Sequence, residues 1–524
     1  MAAGDPQPRA QSPHVISLLR YSPAMVAILI VAACSTSTAD IDLWGHLRFG
    51  SDVLARGHLL MRDPYAYSIP RLPWISHEWL SEIILAWMYA KLGVVGLKLV
   101  RFACAAAMVI CLAGAVGETS AAIEIQLAVL ILAVIALIPE MQFRPQAFTY
   151  AMLSAVMWLI ARDNFGRRAA LWIAIPMFAL WCNLHGGFVI GLAALGIYSA
   201  WTALAGLRER HGLGPSLKLA AITGAAAAAT LLTPYRLGAW LSVLRTLSHP
   251  AMINEIVEWK PLPLAMVAIW RMPGFSFVFD CVIAILFAAL AASVLIAPRG
   301  GDSGLLAIAA VMIAAAVSAF RNLPLAVIGS VTPLARHLAL ASGMLRRGAP
   351  VAAAGDLPRA SILTESVLAI LAAVLAIWSG VFSPAMAVDF TFPAGAVAFM
   401  QRHGLGGNIL CRFAWDDYVL YHRLPEGRVF LDTRYEMIYP DRIAREYEDF
   451  YNNRADAVRV LDAYPHDFVM LDPGAAANRL MSSRGDWMLI YRDQDSLLYA
   501  RAGSTAAQIP GIPVIGTAPA PSFP

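Results

Sequence analysis

The chain has 524 residues, 59% of them hydrophobic and 14% charged, with a formal net charge of +4 and a mean hydropathy of +0.63. Soluble globular chains average about 25% charged residues, so there is too little charge here to cover a water-soluble body of this length. The small net charge, with no basic stripe interleaved with aromatics, argues against nucleic acid as a partner.

Residues 1–21 are polar, carry Arg9 and Arg20, and are expected on the cytoplasmic side. The run 22–38 resembles the apolar core of a signal peptide, but no small-residue cleavage site precedes a soluble domain, so it reads as an uncleaved first span. Further apolar runs follow at about 97–116, 121–138, 147–161, 169–183, 188–206, 217–233, 275–297, 304–320, 323–338 and 362–384. Together they give about eleven spans of a polytopic α-helical membrane protein, in a transmembrane domain over 22–388.

The segment Trp79–Leu92 is too short to span, contains Glu82 and carries aromatics at both ends. It reads as an amphipathic helix lying in the interface. Charge supports that choice. With the N-terminus inside, one set of loops collects Arg162, Arg167, Arg168, Arg208, Arg210, Lys218, Arg299, Arg346, Arg347 and Arg359, the positive-inside pattern. Loop 234–275 departs from it with Arg236, Arg245, Lys260 and Arg271, charges that call for another use, such as binding an anion. The opposite face then holds a long first loop, 39–96, and everything after Asp389.

Residues 389–501 alternate short strands (about 408–412, 428–431, 468–471, 487–492 and 497–501) with helical stretches at 395–402 and 441–464, a small extracytoplasmic α/β domain. Residues 502–524 are rich in Pro, Ala and Gly and are expected to be disordered. Five of the six cysteines lie in or beside apolar runs and Cys411 alone lies in the soluble part, so that domain has no internal disulfide.

Chemistry-bearing residues gather on the face opposite the basic loops. Asp40-Ile-Asp42-Leu-Trp44-Gly-His46 opens the long loop. Two carboxylates there can bind a divalent cation or supply a general base, or simply be solvated residues at a helix end. Asp63-Pro64-Tyr65 is a turn signal, and His77-Glu78 precedes the interfacial helix. A loop of this length between spans is uncommon unless functional. Glu140 and Arg144 come next; Arg144 suits lipid headgroups or the bidentate grip of one phosphate. Asn183-Leu-His185-Gly186-Gly187 makes a sharp turn, with His185 either structural or functional. Then come Pro234-Tyr235-Arg236, Asn254-Glu255-Ile-Val-Glu258-Trp259 and Arg321-Asn322. In the soluble part, Trp415-Asp416-Asp417 can end a strand. Asp432-Thr-Arg434 lies at a strand's C-terminal edge, where α/β domains place ligands, and an ion pair between the two is the other reading. The chain has no Walker loop, HExxH or GxSxG in a believable context, so nothing points to an ATPase, zinc protease or esterase.

The order of these features resembles the glycosyltransferase C (GT-C) superfamily, polytopic enzymes that use polyprenyl-phosphate sugars. Asp40-Ile-Asp42 matches the acidic motif that follows span one in kind and place, and Trp79–Leu92 matches an interfacial helix. The strings DxDxWxHLxxG from Asp40, DPYxYS from Asp63, HEWL from His77, NxHGGF from Asn183, ExxEW from Glu255 and DxR from Asp432 are similar to those of a bacterial branch of membrane proteins. The resemblance implies sugar transfer, with inversion, from a polyprenyl-phosphate donor to a glycan, lipid or protein acceptor outside the inner membrane. It implies Asp40 or Asp42 as base, the other orienting the acceptor or helping to bind a divalent cation. Arg144, His185, Arg236 and Arg321 are expected at the lipid phosphate, and His77 and Glu78 around the cavity. His46, Asn183, Glu255 and Glu258 are expected on substrate, and Asp432 and Arg434 on the acceptor. The alternatives are a polysaccharide polymerase or ligase, a lipid or solute transporter, and a non-catalytic scaffold.

Overall fold

The computed structural model describes residues 22–35, 38–167, 170–208, 214–247, 256–269, 277–345, 362–378, 380–381, 383–388, 390–422, 424, 427–509, 512–513 and 523. Every apolar run identified above holds a helix among its described residues, as the bilayer demands, because backbone N–H and C=O groups have no water to bond there. The helices are α1 (Pro23–Ala33), α2 (Leu43–Arg56), α3 (Trp79–Leu92), α4 (Val94–Gly117), α5 (Ile123–Leu137), α6 (Gln146–Asn164), α7 (Ala174–Leu184), α8 (Phe188–Arg208), α9 (Gly214–Ala229) and α10 (Leu237–Leu247). After α10 come helices at Leu262–Ile269, Phe277–Ile296, Ser303–Ser318, Leu323–Leu345 and Ile362–Trp378. Among the described residues, five stretches are long and apolar enough to cross a membrane by length and composition: Val94–Gly117, Ile123–Glu140, Phe188–Arg208, Phe277–Ile296 and Phe320–Leu345. Shorter apolar helices lie at Pro23–Ala33, Leu171–Leu184, Ser303–Ser318 and Ser366–Trp378. The bundle core joins side chains such as Met108, Val134, Leu153, Phe178, Phe188, Leu305 and Val331.

The long first loop is more structured than expected. It contains α2, which starts beside Asp42 and stops at Gly57, whose φ of 70° suits glycine. Helix α3 spans the interfacial segment read from the sequence. Gly50 lets α2 and α3 touch: a Cβ there would lie 2.1 Å from the carbonyl oxygen of Glu82.

Two strands tie the loop to the chain's last third. β1 (Thr38–Ala39) pairs in parallel with β2 (Ala387–Val388). Beside them, the Lys98 ammonium donates to the carbonyls of Gly380 (2.8 Å), Ser383 (2.9 Å) and Ala385 (2.8 Å). The soluble domain is built on β3 (Asn408–Cys411), β4 (Arg428–Val429), β5 (Phe468–Leu471), β6 (Trp487–Arg492), β7 (Leu497–Arg501) and β8 (Ile512–Pro513), in the order β4-β3-β5-β7-β6-β8. β3 pairs in parallel with β4 and β5, β7 runs antiparallel to β5 and β6, and β8 is parallel to β6.

β3 and β5 are buried at every position, which requires cover on both faces. Alternate residues enter two cores. Ile409, Cys411, Phe468 and Met470 join Leu43, Trp44, Leu47 and Phe49 of α2. Leu410, Val469 and Leu471 join Ala66, Tyr67 and Ile69 of the same loop. The loop also extends the sheet: Val429 donates its N–H to Tyr65 O (2.9 Å), and Tyr67 donates to Val429 O (3.1 Å).

Three expectations need correction. The helix read over 441–464 is two helices, Asp441–Tyr451 and Ala457–Ala463, separated by a turn in which Asn453 takes φ 51°, a conformation asparagine tolerates. Asp416 and Asp417 open the helix Asp416–Tyr421 and do not end a strand. The expected disordered tail supplies β8 and places Phe523 against Trp44 (centroids 5.0 Å) and Tyr89 (5.7 Å).

Candidate active site

Asp40 and Asp42 meet at the start of α2. Asp42 donates its backbone N–H to Asp40 Oδ1 (2.9 Å), a turn that sets the two carboxylates side by side. Arg144, between α5 and α6, spans both. Its Nε donates to Asp40 Oδ1 (2.6 Å), Nη2 lies 3.1 Å from Asp42 Oδ2, and Nη1 donates to Glu258 Oε1 (3.2 Å). The expectation that Arg144 grips a phosphate therefore changes: its fork is spent on three carboxylates, and it organises the acids. Burial differs within the group. Asp40 is 9% exposed, Asp42 23% and Glu258 45%, so Asp42 is the more accessible member of the pair. Burial pushes the Asp42 carboxyl up to about 7, Arg144 opposes this, and the Asp40 charge adds to it.

One helical turn along α2 stands His46, and one turn apart on α3 are Glu78 and Glu82, a spacing that puts each pair on one helix face. His46 Nδ1 lies 3.7 Å from Glu82 Oε1 and 4.0 Å from Glu78 Oε2. Burial alone would lower the His46 pKa, but Glu82, Glu78 and Asp42 outweigh it and raise the imidazole to about 9. A positive charge at this spot is what the surrounding acids favour.

His185 and His77 complete the ring. His185 Nδ1 accepts the backbone N–H of Gly187 (2.9 Å) and faces the Thr149 hydroxyl (2.7 Å). The neutral ring therefore carries its proton on Nε2, 3.3 Å from Glu78 Oε1. His77 Nε2 lies 3.6 Å from the same oxygen. Burial, and then the positive charges of Arg321 and His46, lowers His77 to about 4; burial, His77 and Arg321 depress His185 as well. Both shifts favour the neutral rings.

The other expected residues are placed differently. The Asn183 amide accepts from Trp79 Nε1 (2.9 Å) and donates to Ala179 O (2.8 Å) and Leu232 O (3.0 Å), so it fastens α7 to α3 and to the loop before α10. Arg321 stacks over the Trp259 ring at 4.0 Å. Arg236 is exposed, with φ 49° in the turn that leads into α10. Glu255 lies outside the described residues. Asp432 and Arg434 are 0% and 2% exposed, so no acceptor reaches them from solvent. Arg434 bonds Asp432 (Nε to Oδ1, 3.0 Å) and Asp63 (Nη2 to Oδ1, 2.7 Å) and lies over Phe49 (4.6 Å), Trp74 (4.4 Å) and Tyr65 (5.1 Å). It locks the soluble domain onto the first loop.

Three residues gain roles that the sequence reading missed. Glu82 was read only as an obstacle to a span, although its four-residue spacing from Glu78 was a usable signal. Asp63 appeared only as a turn residue, and its partner Arg434 is too distant in sequence to suggest itself. Asp417 packs where a Cβ on Gly45 would stand, 2.2 Å from its Oδ2, so the soluble domain delivers a buried carboxylate against α2.

The sequence matches no family model and no curated protein. The fold is similar to that of the oligosaccharyltransferase of Archaeoglobus fulgidus tethered with an acceptor peptide containing the NVT sequon, with TM-score 0.51 and 12% identity over 86% of this chain and 68% of that one. The apo form of that protein gives TM-score 0.47 and 12% identity over 95% and 76%. ArnT from Cupriavidus metallidurans bound to undecaprenyl phosphate gives 0.36 and 13% over 93% and 98%. At this identity the first likeness is one of fold alone.

Proposed function

We propose that this chain is a glycosyltransferase of the bacterial inner membrane that moves a sugar from a polyprenyl-phosphate donor to an acceptor outside that membrane, with Asp42 as general base. The proposal proceeds from a polytopic GT-C-like fold. The observation that carries it is the Asp40–Asp42–Arg144 arrangement: two carboxylates fixed by one guanidinium, with the more exposed one raised to about 7. A base poised near neutral pH is what proton removal from an acceptor hydroxyl needs.

The chemistry assigns each group a part. The Asp42 carboxylate takes the acceptor's proton as its oxygen bonds to the anomeric carbon. The bond from that carbon to the phosphate oxygen breaks, and polyprenyl phosphate leaves with the electron pair. Asp40, held by Arg144 and by the Asp42 N–H, keeps Asp42 in place. Positive charge from Arg321, near enough to His77 and His185 to depress both, favours the departing phosphate. A single displacement of this kind inverts the anomeric centre.

The test compares wild type, Asp40→Asn and Asp42→Asn, purified in detergent and incubated with radiolabelled polyprenyl-phosphate sugars. Wild type is expected to consume one donor, and Asp42→Asn to be slower by about 10²–10⁴-fold. Equal turnover by all three proteins rejects the base.

A further inference from the structure

The carboxylates Glu78 and Glu82 share an arrangement that the base chemistry does not use. Each has one oxygen held and one left facing His46. Glu82 Oε2 accepts from Ser76 Oγ (3.1 Å), while Oε1 faces His46 Nδ1 at 3.7 Å. Glu78 Oε1 faces His185 Nε2 (3.3 Å) and His77 Nε2 (3.6 Å), while Oε2 faces His46 Nδ1 at 4.0 Å. One ligand atom from each of the three residues lies within 4.8 Å of the other two. The glutamates are 8% and 4% exposed, and the buried His46 Nδ1 has no hydrogen-bond partner, since both carboxylate oxygens stand beyond bonding distance.

We propose that His46, Glu78 and Glu82 form a binding site for a divalent first-row cation such as Mn²⁺, separate from the Asp40–Asp42 pair. Two ligand atoms each about 2.1 Å from a cation and set at a tetrahedral angle stand about 3.4 Å apart. The observed 3.7 and 4.0 Å therefore need only a small inward shift. One imidazole nitrogen with two carboxylate oxygens suits Mn²⁺ or Zn²⁺ better than an all-oxygen set would. The surroundings are those of a metal centre, where donors outside the ligand set orient the ligands. Ser76 turns Glu82. His185, its tautomer fixed by Gly187 and Thr149, turns Glu78. The acid pair is already bridged by Arg144, so a cation expected at Asp40 and Asp42 has its better place one turn along α2. From there it lies on the same face as Asp42, where, on the glycosyltransferase reading, it would meet a phosphate oxygen of the donor.

The test reads binding without donor or acceptor, so it stands apart from the transfer assay. Chelator-stripped protein is titrated with Mn²⁺ and the free ion is followed by electron paramagnetic resonance. One Mn²⁺ per chain is expected at micromolar concentration, with ¹⁴N modulation from one imidazole in the bound signal. Glu82→Gln should weaken binding at least tenfold, His46→Gln should remove the nitrogen signal, and Asp42→Asn should keep both. No binding by wild type at millimolar Mn²⁺, or a bound signal without nitrogen, overturns the site with no variant needed. Loss of binding in Asp42→Asn with retention in His46→Gln overturns it as well. Wild type that binds Mn²⁺ but transfers no sugar rejects the proposed function and leaves the cation site standing.

Discussion

At the residue scale, the base proposed at Asp42 would tie rate to protonation. A base works only when ionised, and its carboxyl titrates near 7 because burial outweighs Arg144. Transfer is expected to fall about tenfold for each pH unit below 7 and to level off above it, as a pH–rate profile would read. Arg144, ahead of His46, lowers this pKa, so Arg144→Met should move the acidic limb to higher pH while reducing the maximum rate. A limb that stays in place in that variant would mean that another group sets it. The sequence made the acid pair legible as a motif, but not its place one helical turn from His46, since that stretch read as loop. It did not reveal that Arg144 would be consumed by the acids, because Arg144 and Glu258 lie on separate loops and no local pattern joins them.

At the scale of elements, the spacing of α2 against α3 is set by Gly50. A methyl group at that position meets the Glu82 carbonyl at 2.1 Å, and backbone cannot swing aside. Gly50→Ala should separate the helices, with loss of transfer out of proportion to any change in expression, and Mn²⁺ titration would report the same displacement. Arg434 sets a second junction. Arg434→Met leaves Asp63 and Asp432 buried without their cation, a change that costs about 3–5 kcal/mol and should appear as a lower unfolding temperature. The apolar runs, α3 and most strands were legible because hydrophobicity and alternation are local. Helix α2 was not, since its Gly45 and Gly50 weaken a helical reading and are explained only by Asp417 and Glu82 packed against them. Asp432 and Arg434 were legible as an ion pair but were misplaced on an accessible edge, because nothing local tells that Phe49, Tyr65 and Trp74 will enclose them.

At the scale of the whole molecule, the soluble domain and the first loop share their cores. Leu43, Trp44 and Phe49 pack with Phe392, Val397 and Val419, and Tyr67 packs with Phe430. A chain ended after Trp378 would leave these loop residues uncovered. It is expected to aggregate in detergent where the full chain elutes as one species, and a well-behaved truncated chain would show that the loop stands without its partner.

The pairing of Thr38 with Ala387 carries a consequence for biosynthesis. The two strands emerge from the ribosome about 350 residues apart, roughly 20–70 s at ordinary elongation rates. Until Ala387 and Val388 arrive, the segment before Asp40 has no strand to pair with and Lys98 has no carbonyls to hold. The strand that leads into Asp40 thus gains its partner only late in synthesis, and the first loop waits for a segment made long after it to be anchored.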